Sequence, residues 1–141
     1  MIVDIQRQLS IAIENQPGRL GQVGRLLAGL NIHIRAFSVI DNVEQGMVRL
    51  VTDNPVATRE ILLGAGLPVV EAEVIVLEMR DGVGNLALVG EALAAADINI
   101  EYGYASTAEI GRPAKLILKT THPIAARDLL AALPETRQEP E

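Results

Sequence analysis

The residues best suited to hold a small charged molecule lie in the segment Asn15-Gln16-Pro17-Gly18-Arg19-Leu20. Pro17 fixes its own φ and lacks an N–H donor, so it favours a sharp turn at the end of a strand. Gly18 has no Cβ, so its backbone can approach a ligand closely. The N–H groups that follow begin a helix, have no intrahelical acceptor and lie at its positive dipole end. Such a turn can bind a carboxylate or a phosphate.

The spacing of apolar residues predicts secondary-structure elements on both sides of this turn. Before it, Leu9, Ile11 and Ile13 alternate with smaller or polar residues and predict a strand over 7–14. After it, apolar residues at helical spacing predict a helix over 19–29, in which Gly24 would let the helix approach a sheet closely. The same reasoning then predicts strands at 32–40 and 47–53, a hairpin loop at 41–46, a helix from Asn54-Pro55 to about Gly64, and a strand at Val69-Val70.

The chain then repeats this pattern. A shift of 66 residues aligns Gly18-Arg19-Leu20 with Gly84-Asn85-Leu86, and eight of the seventeen positions from 18 to 34 are identical. Beyond the hairpin the shift becomes 68 residues, and it aligns Thr52, Pro55, Ala57, Arg59 and Leu62 with Thr120, Pro123, Ala125, Arg127 and Leu130. A repeat of this kind predicts a duplicated unit, with two helices on one face of an antiparallel sheet in each copy.

The second copy lacks a clear last strand, because Pro134 stops its second helix and 135–141 is polar. Residues 69–79, by contrast, are nearly continuously apolar and predict one long strand that serves both copies. The N-terminal segment Ile2-Val3-Asp4-Ile5 is a candidate to cover the edge that the missing strand leaves open.

Taken together, the repeated turns and elements resemble the ACT domain family over about residues 7–133. The resemblance rests on the strand, the Asn-x-Pro-Gly-x-Leu turn, the amphipathic helix and the hairpin–helix that follows. It implies an α+β fold of two ferredoxin-like βαββαβ units in tandem, with domains at 1–71 and 72–141. ACT domains usually bind an amino acid or a related metabolite where two domains meet, and pass the signal to an enzyme without catalysing a reaction.

The family's functional positions fall on both copies, with exchanges. Its Asn two places before the Pro corresponds to Asn15 and Asp81, and its loop glycine to Gly18 and Gly84. Its Asn at the start of the second strand corresponds to His33 and Asn99, and Val83 replaces Pro17 in the second copy. The first copy keeps the loop Asn and the second keeps the strand Asn, so the two sites need not have equal affinity.

An α-amino acid fits these groups chemically. Backbone N–H groups in the two turns can donate to its carboxylate, and side-chain oxygens can accept from its ammonium group. The expected ligand sites lie at the turns, near the junction of the two domains. The predicted ligand-binding residues are Asn15, Pro17, Gly18, Arg19, Leu20, His33, Asp81, Gly84, Asn85, Leu86 and Asn99.

Composition limits the partners. The formal net charge of −6 argues against a nucleic-acid partner, and the three aromatic residues leave little for base stacking. Nothing in the sequence indicates a membrane partner, a signal peptide or a cofactor, so a cytoplasmic protein is expected. The chain has no cysteine and two histidines without a metal-ligand spacing, so no metal site is predicted. With a period of two, Tyr102 and Tyr104 share a strand face with Ile98 and Ile100, which predicts core packing rather than ligand stacking.

Three functional classes remain. The favoured one is a non-catalytic, allosteric amino-acid sensor that acts on an enzyme of amino-acid metabolism and forms a homodimer. The second is a protein–protein interaction module that has lost ligand binding. The third is a small ferredoxin-like enzyme, for which no catalytic residues can be named, because the sequence shows no nucleophile–base pair.

Overall fold

The computed structural model describes residues 1–14, 16–42, 45–79, 84–106 and 113–134. The chain forms two compact units: a first unit, Arg7–Ala72, and a second unit, Met1–Gln6 together with Glu73–Glu141. The described elements in chain order are β1 (Val3–Glu14), α1 (Arg19–Gly29), β2 (Ile34–Asn42), β3 (Gln45–Thr52), α2 (Pro55–Gly64), β4 (Val69–Met79), α3 (Asn85–Ala95), β5 (Ile100–Ala105), β6 (Ala114–Thr120) and α4 (Pro123–Ala131).

The first unit has an antiparallel sheet in which β3 lies between β2 and β1. Leu50 of β3 is opposite Leu9 of β1 and Phe37 of β2. Because directly opposed residues point to the same face, this register puts the alternating apolar residues of β1 and β3 together. Both helices pack on that face, and the buried core cluster consists of Ile11, Val23, Leu27, Ile32, Val48, Leu50 and Leu62.

The helices of the first unit begin in two different ways. Gly18 precedes α1 in the left-handed conformation at φ +86°, where a residue with a Cβ would be strained. Asn54 precedes α2, and its Oδ1 accepts from the Ala57 N–H at 3.1 Å. Pro55 then occupies the first helical position, where its missing N–H costs no intrahelical bond. The predicted helix boundaries at Arg19 and Pro55 are therefore confirmed.

The second unit repeats this arrangement, with β6 between β4 and β5. Gly84 precedes α3 at φ +90°, as Gly18 precedes α1. The core forms on one sheet face beneath α3 and α4, and its buried residues are Ile75, Leu77, Val89, Leu93, Ile98, Leu118, Ala126 and Leu130. The predicted tandem of two α+β units is confirmed.

The N-terminal segment completes the second unit. The Glu78 N–H donates to the Ile2 carbonyl at 3.0 Å, so the start of the chain lies along β4. The N-terminal ammonium of Met1 donates to the Leu133 carbonyl, just beyond α4, at 2.8 Å. Met1, Val3 and Ile5 pack against the core of the second unit. The segment therefore covers the open edge as expected, and no strand follows α4 within the residues described up to 134.

The predicted long strand at 69–79 is also confirmed, since β4 spans Val69–Met79. Its residues up to Ala72 belong to the first unit, and those from Glu73 belong to the second. β1 is divided in the same way between Gln6 and Arg7. None of the described helices is long and apolar enough to cross a membrane.

The strand-face prediction was wrong for the tyrosines. A register shift separates Ile100 from Tyr102, and beyond it Tyr102 is opposite Lys119 and Tyr104 is opposite Ile117. Lys119 and Ile117 flank Leu118, which is part of the core, so both tyrosines lie on the face away from the helices. A bulge changes which residues share a face, and a strict period of two cannot anticipate it.

The first unit has the same feature in β2. A register shift between Ile34 and Ala36 places Phe37 and Val39 on the helix-bearing face, opposite Leu50 and Val48. Ala36, Ser38 and Ile40 lie on the other face, whereas an unbroken alternation along the strand would have placed them on the same face as Ile34.

Candidate functional site

The turn before α1 is a tight backbone structure at the end of β1. The Gln16 N–H donates to the Glu14 carbonyl at 2.8 Å, and the Arg19 N–H donates to the Gln16 carbonyl at 3.4 Å. The Gln22 N–H then donates to the Gly18 carbonyl at 3.0 Å, which is the first helical bond of α1. The N–H groups that lie between those of Arg19 and Gln22 have no acceptor within the helix, as at any helix start.

The side chain of Arg19 extends from this helix start back to the strand. Its guanidinium lies 3.0 Å from a carboxylate oxygen of Glu14 and 3.3 Å from Oε1 of Gln22. The two charged side chains are 40% and 62% exposed, so they stay accessible to a ligand. The site thus presents a cation and an anion side by side next to the positive end of a helix dipole.

Two clefts flank this ion pair. The larger has a volume of about 340 Å³ and lies between the end of β1, the first half of α1 and the connection from α2 to β4. Its size falls within the range of about 300–1,000 Å³ that is common for small-molecule sites. A smaller cleft of about 120 Å³ lies on the β2 side and includes Leu20, Val39 and Asp41. Glu14 and Arg19 line both clefts.

Four of the predicted residues of the first copy, Pro17, Gly18, Arg19 and Leu20, are described and lie together at this turn. Asn15 lies outside the described residues. Sequence reasoning missed Glu14, Gln22 and Asp41, which line the clefts. The available signal was spacing: Glu14 is the last residue of the strand and Gln22 lies one turn into the helix, so both flank the motif.

The equivalent turn of the second unit has a different side-chain content. Gly84 has the same left-handed backbone, and the Leu88 N–H donates to its carbonyl at 2.9 Å. Asn85 replaces Arg19 and is buried, with 3% of its surface exposed, whereas Leu86 is exposed. Asp81 and Val83 lie outside the described residues. The two turns therefore differ in the identity and burial of the residue that follows each glycine.

His33 and Asn99 lie away from the turns of their own units. The His33 N–H donates to Asp53 Oδ1 at 3.0 Å, and the Asp53 N–H donates to the His33 carbonyl at 3.1 Å. Asn99 forms the matching pair of bonds with Thr121, at 2.9 and 3.0 Å. Both pairs close the base of a β-hairpin, where the first strand of the hairpin begins and the second ends. Within its unit, neither residue lies beside the loop glycine.

The topology and the turns define a class of protein. Each unit has the ferredoxin-like arrangement of strands and helices, and each first helix begins at a left-handed glycine after a strand. A family model described as an ACT domain pair matches residues 3–133. The chain belongs to this family.

Solved structures of similar fold cover most of the chain. A protein from Bacteroides thetaiotaomicron, BT0572, is 27% identical, with a TM-score of 0.82 over 92% of this chain and 88% of that one. The ligand-free regulatory subunit of aspartate kinase from Thermus thermophilus is 17% identical, with a TM-score of 0.67 over 92% and 93%. The corresponding subunit from Thermus flavus is 21% identical, with a TM-score of 0.62 over 92% and 94%. A comparison with curated protein sequences gives no significant match.

Proposed function

We propose that this ACT domain pair is a non-catalytic regulatory protein that binds a free amino acid, or a closely related metabolite, at the turn before α1. The observation that carries the proposal is the exposed Arg19–Glu14 ion pair beside the helix start at Gly18. An α-amino acid is a zwitterion, so its two charges match such a pair better than a simple acid or a simple amine would.

In the proposed complex, the ligand carboxylate takes backbone N–H donors at the start of α1 and the guanidinium of Arg19. The ammonium group lies against the Glu14 carboxylate. The ligand side chain occupies the larger cleft, whose walls include Val23, Leu26 and Leu67. These residues favour an aliphatic or other compact side chain over a highly charged one.

The first unit is proposed to hold the tighter site. Asn85 carries no charge, so the second turn lacks the guanidinium that Arg19 supplies to the first. A calorimetric titration is therefore expected to give a stoichiometry close to one ligand per chain at low ligand concentration.

Regulation requires that the ligand bind two conformations or assembly states with different affinity. We propose that this protein regulates an enzyme of amino-acid metabolism. The likeness to aspartate kinase regulatory subunits, which is a likeness of fold, is the reason for naming this class of partner.

The test is a thermal-shift screen against the twenty amino acids, followed by calorimetry. A ligand that binds only the folded chain raises its melting temperature by mass action. We expect at least one amino acid to do so, and the R19Q variant to bind it at least about tenfold more weakly, since a charge-assisted bond is worth about 1.5–3 kcal/mol.

The matched control is R25Q, which removes an exposed arginine of the same helix that lines neither cleft. It is expected to bind like the unaltered chain. No thermal shift with any amino acid at millimolar concentration would contradict the proposal and favour the protein–protein interaction module. Equal losses in R19Q and R25Q would place the ligand elsewhere.

A further inference from the structure

Arg19, the cation of the proposed site, already has three acceptors within its own chain. Its Nη2 lies 3.0 Å from Glu14 Oε2 and 3.5 Å from Gln16 Oε1, and its Nη1 lies 3.3 Å from Gln22 Oε1. These acceptors belong to the end of β1, the turn and the first half of α1. Glu14 is the charged one of the three, so its carboxylate occupies the position on the guanidinium that a ligand carboxylate would take.

The charged residues that line the two clefts carry more negative than positive charge. Arg19 supplies the cation, whereas Glu14 and Asp41 supply carboxylates. The rest of the first unit does not offset this balance, because Arg7–Ala72 contains six basic and six acidic residues. An anion that approaches the turn therefore meets one guanidinium and the carboxylate that already binds it, without a general positive field to attract it.

A carboxylate ligand must therefore compete with Glu14 for Arg19. The existing pair is exposed and contributes little stability, so a ligand can open it at small cost. A simple carboxylic acid that does so separates Glu14 from its cation and adds a second negative charge beside it. An α-amino acid avoids this loss, because its carboxylate replaces Glu14 on the guanidinium while its ammonium group becomes the new partner of Glu14. The zwitterion thus exchanges one ion pair for two.

The second copy of the repeat lacks this network in its sequence. The shift of 66 residues replaces its four members, Glu14, Gln16, Arg19 and Gln22, by Arg80, Gly82, Asn85 and Leu88. No carboxylate stands at any of the four equivalent positions, so the sequence does not repeat the competitor. The competition for the guanidinium is therefore a property of the first turn and not of the repeated fold.

We propose that Glu14 is the specificity-determining residue of this site. It acts as a built-in competitor for Arg19, which admits α-amino acids and excludes carboxylic acids that lack the ammonium group. The excluded compounds include the α-keto acid with the same side chain, so the protein responds to the product of a transamination and not to its α-keto acid precursor. This inference rests on the proposed function and deepens it, since it concerns the same site.

The test compares two compounds that share one side chain, L-leucine and α-ketoisocaproate, by calorimetry on the unaltered chain and on E14Q. If the amino-acid screen selects another ligand, that amino acid and its own α-keto acid take their place. We expect the unaltered chain to prefer the amino acid by at least about tenfold. We expect E14Q to bind the α-keto acid at least about tenfold more tightly than the unaltered chain does, because the guanidinium is then free of its competitor. A damaged fold would not produce this gain.

Two further variants separate competition at Arg19 from other effects of charge. E60Q removes the same charge from an exposed glutamate of α2 that lines neither cleft, and it is expected to keep the preference of the unaltered chain. The E14Q/R19Q double variant is expected to bind the α-keto acid no better than R19Q does, because the gain requires the guanidinium.

Three results would overturn the inference. One is an unchanged preference for the amino acid in E14Q. Another is an equal gain in E14Q and E60Q, which would indicate a general effect of net charge. The third is a gain that persists in the double variant. If the unaltered chain bound no amino acid, the proposed function would fail together with this inference. If it bound one and E14Q kept the preference, this inference alone would fail.

Discussion

At the scale of single residues, one buried hydroxyl distinguishes the two units. In the first unit, Thr52 Oγ1 and Thr58 Oγ1 lie 2.8 Å apart, and Thr58 also donates to the Asn54 carbonyl at 2.8 Å. The repeat places Thr120 and Ala126 at the positions of Thr52 and Thr58 in the second unit. Thr120 is 1% exposed, and its hydroxyl has no hydrogen-bond partner among the described residues. With alanine at position 126, the Thr120 hydroxyl has no counterpart to the partner that Thr52 finds in Thr58.

The isosteric change from threonine to valine should have opposite effects at the two positions. T120V removes an unpaired buried hydroxyl, so we expect the second unit to gain about 1 kcal/mol in free energy of unfolding. T52V removes a paired hydroxyl, so we expect the first unit to lose about 1 kcal/mol. Amide hydrogen exchange in β6 and β3 reports the two units separately. If T120V were as destabilising as T52V, the Thr120 hydroxyl of the unaltered chain would have to be hydrogen-bonded in solution.

The glycines of the turns were predictable from sequence, whereas the charged pair beside them was not. A Gly after a strand and before a helical pattern indicates a left-handed helix start, and Gly18 and Gly84 both have one. The Arg19–Glu14 pair forms only because the turn brings the strand end back beside the first helical residue. That geometry is a product of the folded turn, and spacing alone does not specify it.

At the scale of elements, helices and turns followed the sequence pattern more closely than strand faces did. α1 begins and ends within the predicted segment, and Asn54 caps α2 as its sequence indicated. Strands β2 and β5 each contain a register shift, which reverses the face of every later residue. The close approach that Gly24 would allow is not used, because a Cβ there would meet nothing within 4 Å. Close approach depends on the helix position, which periodicity does not give.

The N-terminal segment offers a matched test at the element scale. Val3 is half-buried against the core of the second unit, whereas the neighbouring Ile2 is 53% exposed. We expect V3D to lower the free energy of unfolding of the second unit by roughly 2 kcal/mol, because it replaces packed apolar surface with a charge. I2D should change it by less than about 0.5 kcal/mol. Urea denaturation with hydrogen exchange in β4 would measure both. Equal effects would mean that the segment does not pack as a strand of this unit.

At the scale of the whole molecule, the start of the chain lies next to the end of α4, the last of the described helices. The Met1 ammonium group is 2.8 Å from the Leu133 carbonyl oxygen, so a short linker from Pro134 can reach Met1. Relinked in this way, the chain can be opened elsewhere at an exposed turn, such as between Ala96 and Asp97.

We expect this circular permutant, joined by a short Gly-Ser linker, to fold with a melting temperature within about 10 °C of the original. The control is the unpermuted chain with the same linker inserted between Ala96 and Asp97. Thermal unfolding by circular dichroism compares the two. If the control folded and the permutant did not, Leu133 and Met1 would not be as close as the hydrogen bond between them indicates.

The two strands that cross from one unit to the other have a consequence for the ancestry of the chain. Val69–Ala72 completes the first unit and continues into the first strand of the second, while Met1–Gln6 completes the second and continues into the first strand of the first. The unit that repeats along the chain therefore has five elements: one long strand followed by a helix, two strands and a second helix. In these terms, the described part of the second copy contains the same five elements as the first.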